Sequence, residues 1–219
     1  MHMKLARLHQ QANKEPYWHV HVAVVVAIAL QLVLNNKLTV GPKYAIAGFE
    51  AVLLLALIVF AQHEHPVITH LRRTLAIMLI ALISVANITS LILVVDSLFG
   101  SKQVSGKELI VSGLAIYLTN IIIFGLWYWE LDSNGNPGQD VAVAPIDFLF
   151  PQMAAQRFGK EWSPTFFDYL YVSITNASAF SPTDTLPLTH RAKLLMSLQS
   201  TTSLITVALV AARAVNILA

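Results

Sequence analysis

Three ionisable residues interrupt long apolar stretches of this sequence. Glu50 lies inside the second stretch, Asp96 near the end of the third, and Arg213 near the end of the last. Charged groups inside membrane segments are rare, and they usually face protein or water and take part in function. Glu50 would suit a small transporter that couples to protons. The alternative for all three is a place near the membrane interface, where side chains reach water or bond to the backbone; Arg213 alternatively pairs with a buried acid.

The histidines form two groups that resemble metal-binding spacings. His63 and His65 are followed by His70, and His19 and His21 form a second pair. Imidazole nitrogens bind transition metals, but a site usually needs more ligands and outer hydrogen-bond partners. Haem bound in a helical bundle would need histidines deep in facing helices, whereas these lie at the ends of apolar stretches. We therefore predict no metal site and no cofactor.

The sequence contains no residues or motifs for cysteine chemistry, for catalysis or for nucleic-acid binding. The chain has no cysteine, which excludes disulfides, thiolate ligands and cysteine nucleophiles. No acid and base stand at a recognisable catalytic spacing, and no nucleophile motif is present, so we predict that the protein is not an enzyme. The net charge is only +2 and the basic residues are scattered, which argues against nucleic acid as a partner.

The last apolar stretch is unusually rich in hydroxyl and amide side chains. Such residues often hold membrane helices together. They could instead line a pore, and the sequence leaves both interpretations open. The residues are Ser197, Gln199, Ser200, Thr201, Thr202, Ser203 and Thr206.

The elements that carry these residues are membrane helices. Of the 219 residues, 56% are hydrophobic and 12% charged, and the mean hydropathy is +0.62. This composition predicts an all-α integral membrane protein that crosses the lipid bilayer of a cell membrane several times. Aromatic residues such as Tyr128 cluster at the segment ends, as in interfacial belts. Five apolar segments approach the length needed for a transmembrane helix: residues 19–34, 44–61, 74–98, 109–129 and 191–218.

The fourth connection, residues 130–189, is far longer than an ordinary connector. Within it, residues 164–179 read as a helix, with Ser163 as the N-cap and Pro164 in the first position. The helix is too short to cross a bilayer, and Pro182 ends it. Residues 183–187 are then extended. A half-crossing helix with an extended return is tolerated only beside water or inside protein, so we predict a pore or a plug.

The order of outer helix, short helix, extended strand and inner helix resembles the pore module of potassium channels. The pieces that carry the resemblance are LYVS at 170–173, NAS at 176–178 and AFSPT at 179–183, followed by Asp184, Pro187, Thr189 and Lys193. The stretches YWELD, DFLFPQ and FSPTDTLPLT also resemble bacterial ion-channel-like membrane proteins whose activity is uncharacterised.

The resemblance implies an organisation for the whole chain. Residues 1–107 would be a three-helix membrane region, and residues 108–219 the pore module with a long loop at 130–163. The assembly would be a homotetramer. The filter-like positions would be Ala179, Phe180, Ser181, Pro182, Thr183 and Asp184, and the pore face of the inner helix would be Ser203, Leu204, Val207, Ala211 and Val215.

The filter-like segment differs from that of potassium channels at the positions that determine ion selectivity. Ser181 and Thr183 stand where potassium channels have glycines, and Pro182 stands between them. Glycine permits the positive φ that turns carbonyls inward, whereas a β-branched residue and proline do not. The carbonyl cage that replaces potassium's hydration shell is therefore not expected, and neither is potassium selectivity. The first three helices carry no arginine series, so voltage sensing is not expected either.

Two functions follow from this resemblance. The first is an ion channel or channel-like membrane protein, with inorganic ions as possible partners and a ring of Asp184 that favours cations. The second is a non-conducting scaffold or partner-binding protein, in which the short helix is a structural plug. The order of the pore module places the N-terminus outside the cell, although the distribution of Lys and Arg slightly favours the opposite orientation.

Overall fold

The computed structural model describes residues 18–39, 41–60, 66–98, 104–132, 146–154, 162–178 and 184–218. These residues are almost entirely helical, as the composition predicts, and the exceptions are a short 3₁₀ turn and a two-stranded ribbon. The elements are α1 (Trp18–Val33), a 3₁₀ turn (Asn36–Leu38), α2 (Lys43–Phe60), α3 (Pro66–Leu98), α4 (Gly106–Leu131), β1 (Phe148–Leu149), α5 (Pro151–Ala154), α6 (Phe166–Ser178), β2 (Leu186–Pro187) and α7 (His190–Leu218).

Three of the five predicted transmembrane segments are long and apolar enough to cross a membrane. They are His70–Ser97 in α3, Gly106–Leu131 in α4 and His190–Val215 in α7. Helices α1 and α2 are apolar but shorter, with 16 and 18 residues. At 1.5 Å per residue they extend about 24 and 27 Å, against a hydrocarbon core of about 30 Å. The chain is thus a membrane-embedded helical protein.

Two helices begin earlier than the hydropathy alone predicts. Helix α3 starts at Pro66, where proline's fixed φ suits the first helical turn, so part of the predicted second loop is helical. Helix α4 starts at Gly106 behind a capping box, in which Ser105 and Glu108 satisfy each other's backbone N–H groups. Both helices thus extend into polar sequence that a hydropathy pattern excludes, and in α4 the capping box stabilises this extension.

Helix α4 is the centre of the molecule and packs against α1, α3, α6 and α7. Two glycines allow the closest approaches. A Cβ on Gly113 would lie 2.3 Å from the side chain of Val210 in α7, and one on Gly125 would lie 3.2 Å from the backbone of Leu170 in α6. Trp127 also donates a 3.0 Å hydrogen bond to Ser84 in α3. The first three helices thus join the rest of the fold mainly through α4.

The short helix in the long connection is present as α6, with 13 residues or about 20 Å of length. The prediction for its start was wrong. The helix begins at Phe166, two residues after Pro164, because Asp168 accepts hydrogen bonds from the backbone N–H and the hydroxyl of Thr165, at 2.7 and 2.8 Å. Thr165 is therefore the residue directly before the helix, and its two bonds to Asp168 connect it to the first turn.

The extended return has a pairing partner that hydropathy does not reveal. Strand β2 pairs antiparallel with β1, with Phe148 opposite Pro187 and Leu149 opposite Leu186. The backbone N–H of Leu188 also donates to the carbonyl of Asp147 at 2.8 Å. Residues 147–149 and 186–188 of the long connection are thus paired directly before α7 begins.

Candidate functional site

A buried group of polar side chains joins α4, α6 and α7, and we call it the Gln199 junction (Asn120, Tyr128, Ser173, Asn176, Gln199, Ser200 and Ser203). At its centre, the carbonyl oxygen of Gln199 accepts hydrogen bonds from Tyr128 Oη at 2.6 Å and Asn176 Nδ2 at 2.8 Å. Its amide nitrogen donates to the hydroxyl and carbonyl oxygens of Ser173, at 2.6 and 2.9 Å. One glutamine of α7 therefore binds both α4 and α6.

Further bonds extend the junction along all three helices. Ser173 donates to the carbonyl of Ile121 at 2.6 Å, and Asn176 donates to the carbonyl of Met196 at 2.9 Å. One turn further along α7, Ser203 accepts from Asn120 Nδ2 at 2.8 Å. Such side chains, buried in an apolar bundle, are stable only when bonded. The junction therefore fixes the height and rotation of α6 between its neighbours.

A second polar group lies where the first turn of α6 meets the end of α4, and we call it the aspartate clasp (Asp132, Asp147, Tyr169, Thr189 and Arg191). The guanidinium of Arg191 forms a bidentate ion pair with the buried carboxylate of Asp147. Its Nε lies 2.7 Å from Oδ1, and its Nη2 lies 2.6 Å from Oδ2. Thr189 donates to the same carboxylate. Arg191 also donates to the carbonyl of Leu131 at 3.2 Å. The clasp ties the start of α7 to the end of α4.

The other aspartate of the clasp holds α6. Asp132 is fully buried and accepts hydrogen bonds from Tyr169 Oη at 2.7 Å and from the backbone N–H of Asp147 at 3.1 Å. Burial, reinforced by the negative charge of Asp132, raises the pKa of the Tyr169 phenol above its ordinary value. The phenol therefore stays a hydrogen-bond donor to Asp132 up to strongly alkaline pH.

Aromatic rings fill the space between the junction and the clasp. Phe148 lies 5.1 Å from Tyr128 and 6.1 Å from Tyr169, measured between ring centroids. Phe150 meets Tyr169 edge to face at 5.2 Å and Trp162 at 5.7 Å. These separations are those of favourable aromatic pairs. The part of the connection around β1 thus packs against the first turn of α6.

The predicted filter falls mostly outside the described part of the chain. Ala179, Phe180, Ser181, Pro182 and Thr183 are not among the described residues, which resume at Asp184, an exposed residue. The structure therefore positions the helix before this segment and the strand after it.

The predicted pore face of the inner helix is divided by the structure. Leu204, Val207, Ala211 and Val215 are exposed on α7. Ser203 is fully buried and belongs to the Gln199 junction. Four of the five residues thus share an open surface, whereas Ser203 faces α4.

The three intramembrane charges lie in different surroundings. Glu50 is completely buried, Asp96 is exposed and Arg213 is half-buried. Arg213 borders the contact between α4 and α7 near Gly113, and its Nε atom is buried without a hydrogen-bond partner. No ion pair links Arg213 to an acid within the described residues.

The histidine groups do not converge on one site. His63 and His65 lie outside the described residues, and His19 packs edge to face against Phe167 at 4.8 Å. In the described ranges, no three His, Asp or Glu side chains lie close enough together to hold a metal ion.

Comparison of the chain with protein-family models, with curated proteins and with solved structures finds no match. The interpretation of the site therefore depends on its geometry.

Sequence reasoning missed the residues that form the centre of both polar groups. Tyr128 reads as part of an interfacial aromatic belt, yet its ring is fully buried and its hydroxyl is bonded. Asp132 and Asp147 lie in the long connection, where no local pattern indicates burial, yet both are buried. For Gln199 the signal was present, because a long amide in an apolar helix needs partners inside the bundle.

Proposed function

We propose that the protein is a subunit of a homotetrameric, channel-like membrane protein whose non-standard filter is not selective for potassium. In this proposal five helices cross the membrane, α6 is a re-entrant pore helix, and residues 108–219 form the pore module. One observation carries the proposal: a helix too short to cross a membrane is held between two spanning helices by the Gln199 junction.

The termini of α6 are held in a way that supports this role. The aspartate clasp bonds its first turns to the end of α4, and the ribbon of β1 and β2 joins the connection to the start of α7. The clasp and the ribbon would thus hold the two ends of the segment between α6 and β2 at fixed positions. A functional loop is best positioned by such a scaffold.

The open surface of α7 supports the oligomer. Leu204, Val207 and Val215 are 69, 49 and 68% exposed, and they lie on the helix that would face the axis of a tetramer. Contact with neighbouring subunits around that axis would cover this apolar surface. A pore lined in this way would be gated by loss of water from an apolar constriction.

The experiment is a conductance measurement on purified full-length protein in planar bilayers. We expect conductance that discriminates weakly between potassium and sodium, because no glycine-based carbonyl cage surrounds the ion. Asp184→Asn, which preserves shape and removes charge, should reduce the preference for cations over chloride. The double variant Ser181→Gly/Thr183→Gly is the matched control for the filter backbone. No conductance under potassium, sodium or chloride gradients, in the wild-type protein and in this control, would refute the channel proposal.

Membrane orientation is tested in the same preparation with the cysteine-free chain as background. A single Gly138→Cys substitution places a thiol in the long connection. An N-terminus outside the cell requires this connection to lie outside as well, so an impermeant maleimide should label intact cells. Labelling only from the cytoplasmic side would contradict the channel-like orientation.

A second candidate is a non-conducting scaffold that keeps this arrangement. The observation that favours it is the density of hydrogen bonds around Asn176 and Gln199, which fills the space between α6 and α7 with bonded side chains. In that case α6 is a plug. Tetramers that form without conductance would favour the scaffold over the channel.

A further inference from the structure

Glu50 is a buried acid that the proposed channel does not use. Glu50 lies in the middle of α2 and is completely inaccessible to solvent. Neither of its carboxyl oxygens has a hydrogen-bond partner. Buried carboxylates in proteins are normally paired with a cation or bonded to several donors. This acid has neither among the described residues, so its position needs another explanation.

The nearest polar group comes from the neighbouring helix. The side chain of Gln31 in α1 lies beside Glu50, but no hydrogen bond of normal length and angle joins them, and the amide nitrogen of Gln31 is also buried and unbonded. Gln31 borders a cavity of about 160 Å³ between α1, α2 and α3. Ile46, one helical turn before Glu50, lines the same cavity. Gln31 and Ile46 thus connect the acid to a cavity large enough for several water molecules, although Glu50 does not line it directly.

The charge state of such an acid follows from its surroundings. An ionised carboxylate without a cation, a metal or donors is strongly disfavoured in an apolar bundle, whereas the neutral carboxylic acid can donate to the carbonyl of a neighbouring amide. A metal ion is a poor alternative, because Glu50 and Gln31 offer too few oxygens to replace its hydration shell. A proton, in contrast, needs only one carboxylate oxygen to bind, so protonation of Glu50 neutralises this buried acid.

We propose that Glu50, with Gln31 beside it, is a proton-binding site inside the N-terminal three-helix region, occupied at neutral pH and supplied from water through the adjacent cavity. This inference is independent of the channel proposal, because it concerns only α1, α2 and α3. Uptake of one proton converts the carboxylate to the carboxylic acid, which donates to the Gln31 side chain.

The test is covalent labelling of the full-length protein in liposomes at pH 7 with dicyclohexylcarbodiimide, a hydrophobic reagent that reacts with protonated carboxylic acids. A solvent-exposed glutamic acid, with an ordinary pKa of about 4.3, is protonated in only about one molecule in 500 at pH 7. We expect peptide mapping to find the adduct on Glu50 and to find exposed acids such as Glu108 unlabelled. Glu50→Gln should abolish the labelling. Because mapping is performed on the wild-type chain, the result does not depend on whether the variant folds.

Infrared spectroscopy gives an independent readout. The wild-type protein should show the C=O stretching band of a protonated carboxylic acid, and Glu50→Gln should remove it. Gln31→Leu, the matched control that keeps the acid and removes its neighbour, should retain the band and shift it to higher wavenumber. Ala86→Leu, which narrows the cavity, should slow the exchange of the acid proton in D₂O.

Three results would overturn the proposal. The first is an unlabelled Glu50 at pH 7 in folded wild-type protein. The second is labelling of Glu50 by a water-soluble carbodiimide to the same extent as Glu108, because the acid would then be exposed. The third is an infrared band that survives Glu50→Gln. Unchanged proton exchange in Ala86→Leu would refute the cavity as the route.

Discussion

Replacement of Gln199 by leucine is the sharpest test of how α6 is held. The two side chains are similar in size, so packing is largely kept and the amide alone is removed. Four hydrogen bonds disappear: two accepted from Tyr128 and Asn176 and two donated to Ser173. Tyr128 then has a buried hydroxyl without an acceptor.

The magnitude can be worked from these contacts. A buried polar group left unbonded destabilises a protein by about 1–3 kcal/mol, whereas polar contacts between membrane helices average only about 0.6 kcal/mol. Asn176 keeps its bond to the carbonyl of Met196, and Ser173 keeps its bond to the carbonyl of Ile121. The carbonyl of Ser173 lies inside α6, where the N–H of Ala177 donates to it, so the main loss is at Tyr128. We expect Gln199→Leu to lower the free energy of unfolding by about 1–3 kcal/mol.

The assay is reversible unfolding of the purified protein in mixed micelles, followed by tryptophan fluorescence. Tyr128→Phe removes the stranded donor, so the double variant Tyr128→Phe/Gln199→Leu should be more stable than the sum of the single effects by about 1 kcal/mol. A stability of Gln199→Leu equal to that of wild type would refute the reasoning. Strict additivity of the two substitutions would refute the direct bond.

Three further predictions concern the packing around this site. Gly113→Ala should destabilise the fold by about 1–3 kcal/mol because the new methyl group collides with Val210, and Val210→Ala should reverse most of the loss. Gly48→Ala is the control, because no atom lies within 4 Å of the new methyl group; it should be neutral or stabilising by up to about 1 kcal/mol, measured by unfolding in micelles. Arg191→Lys keeps the charge but loses the two-pronged grip on its aspartate, and should lower stability by about 1 kcal/mol in the same assay. The pKa of the Tyr169 phenol is raised in the folded protein. The phenol therefore contributes its full stabilisation below the unfolded-state pKa of about 10, and this stabilisation is lost as the pH rises further. Between about pH 10 and 12, Tyr169→Phe should consequently lose less stability than the wild-type protein.

Each of these predictions has a result that contradicts it. Equal stabilities for Gly113→Ala and Gly48→Ala would show that α4 and α7 do not approach as closely as described. A lysine variant as stable as wild type would show that the clasp contributes through charge alone. A pH profile unchanged by Tyr169→Phe would show that this phenol ionises at its ordinary pH.

Local sequence signals were sufficient for the helices themselves. Apolar length predicted α3, α4 and α7 as spanning helices, and the interval between Pro164 and Pro182 predicted a short helix close to α6. These features depend on composition and on the geometry of nearby residues. Boundaries were less accurate because they depend on caps such as Ser105 with Glu108 and Thr165 with Asp168.

The sequence by itself determined that this protein enters a membrane, that most of its chain is helical, and that a helix too short to span interrupts the last connection. These conclusions follow from how much apolar surface each segment carries and where proline stops it. Only the tertiary structure decided which polar groups meet. Tyr128 and Gln199 are 71 positions apart, and Asp147 and Arg191 are 44 apart. No local pattern encodes such a contact, because it exists only where α4, α6 and α7 fold together and bury at least one of the two polar groups.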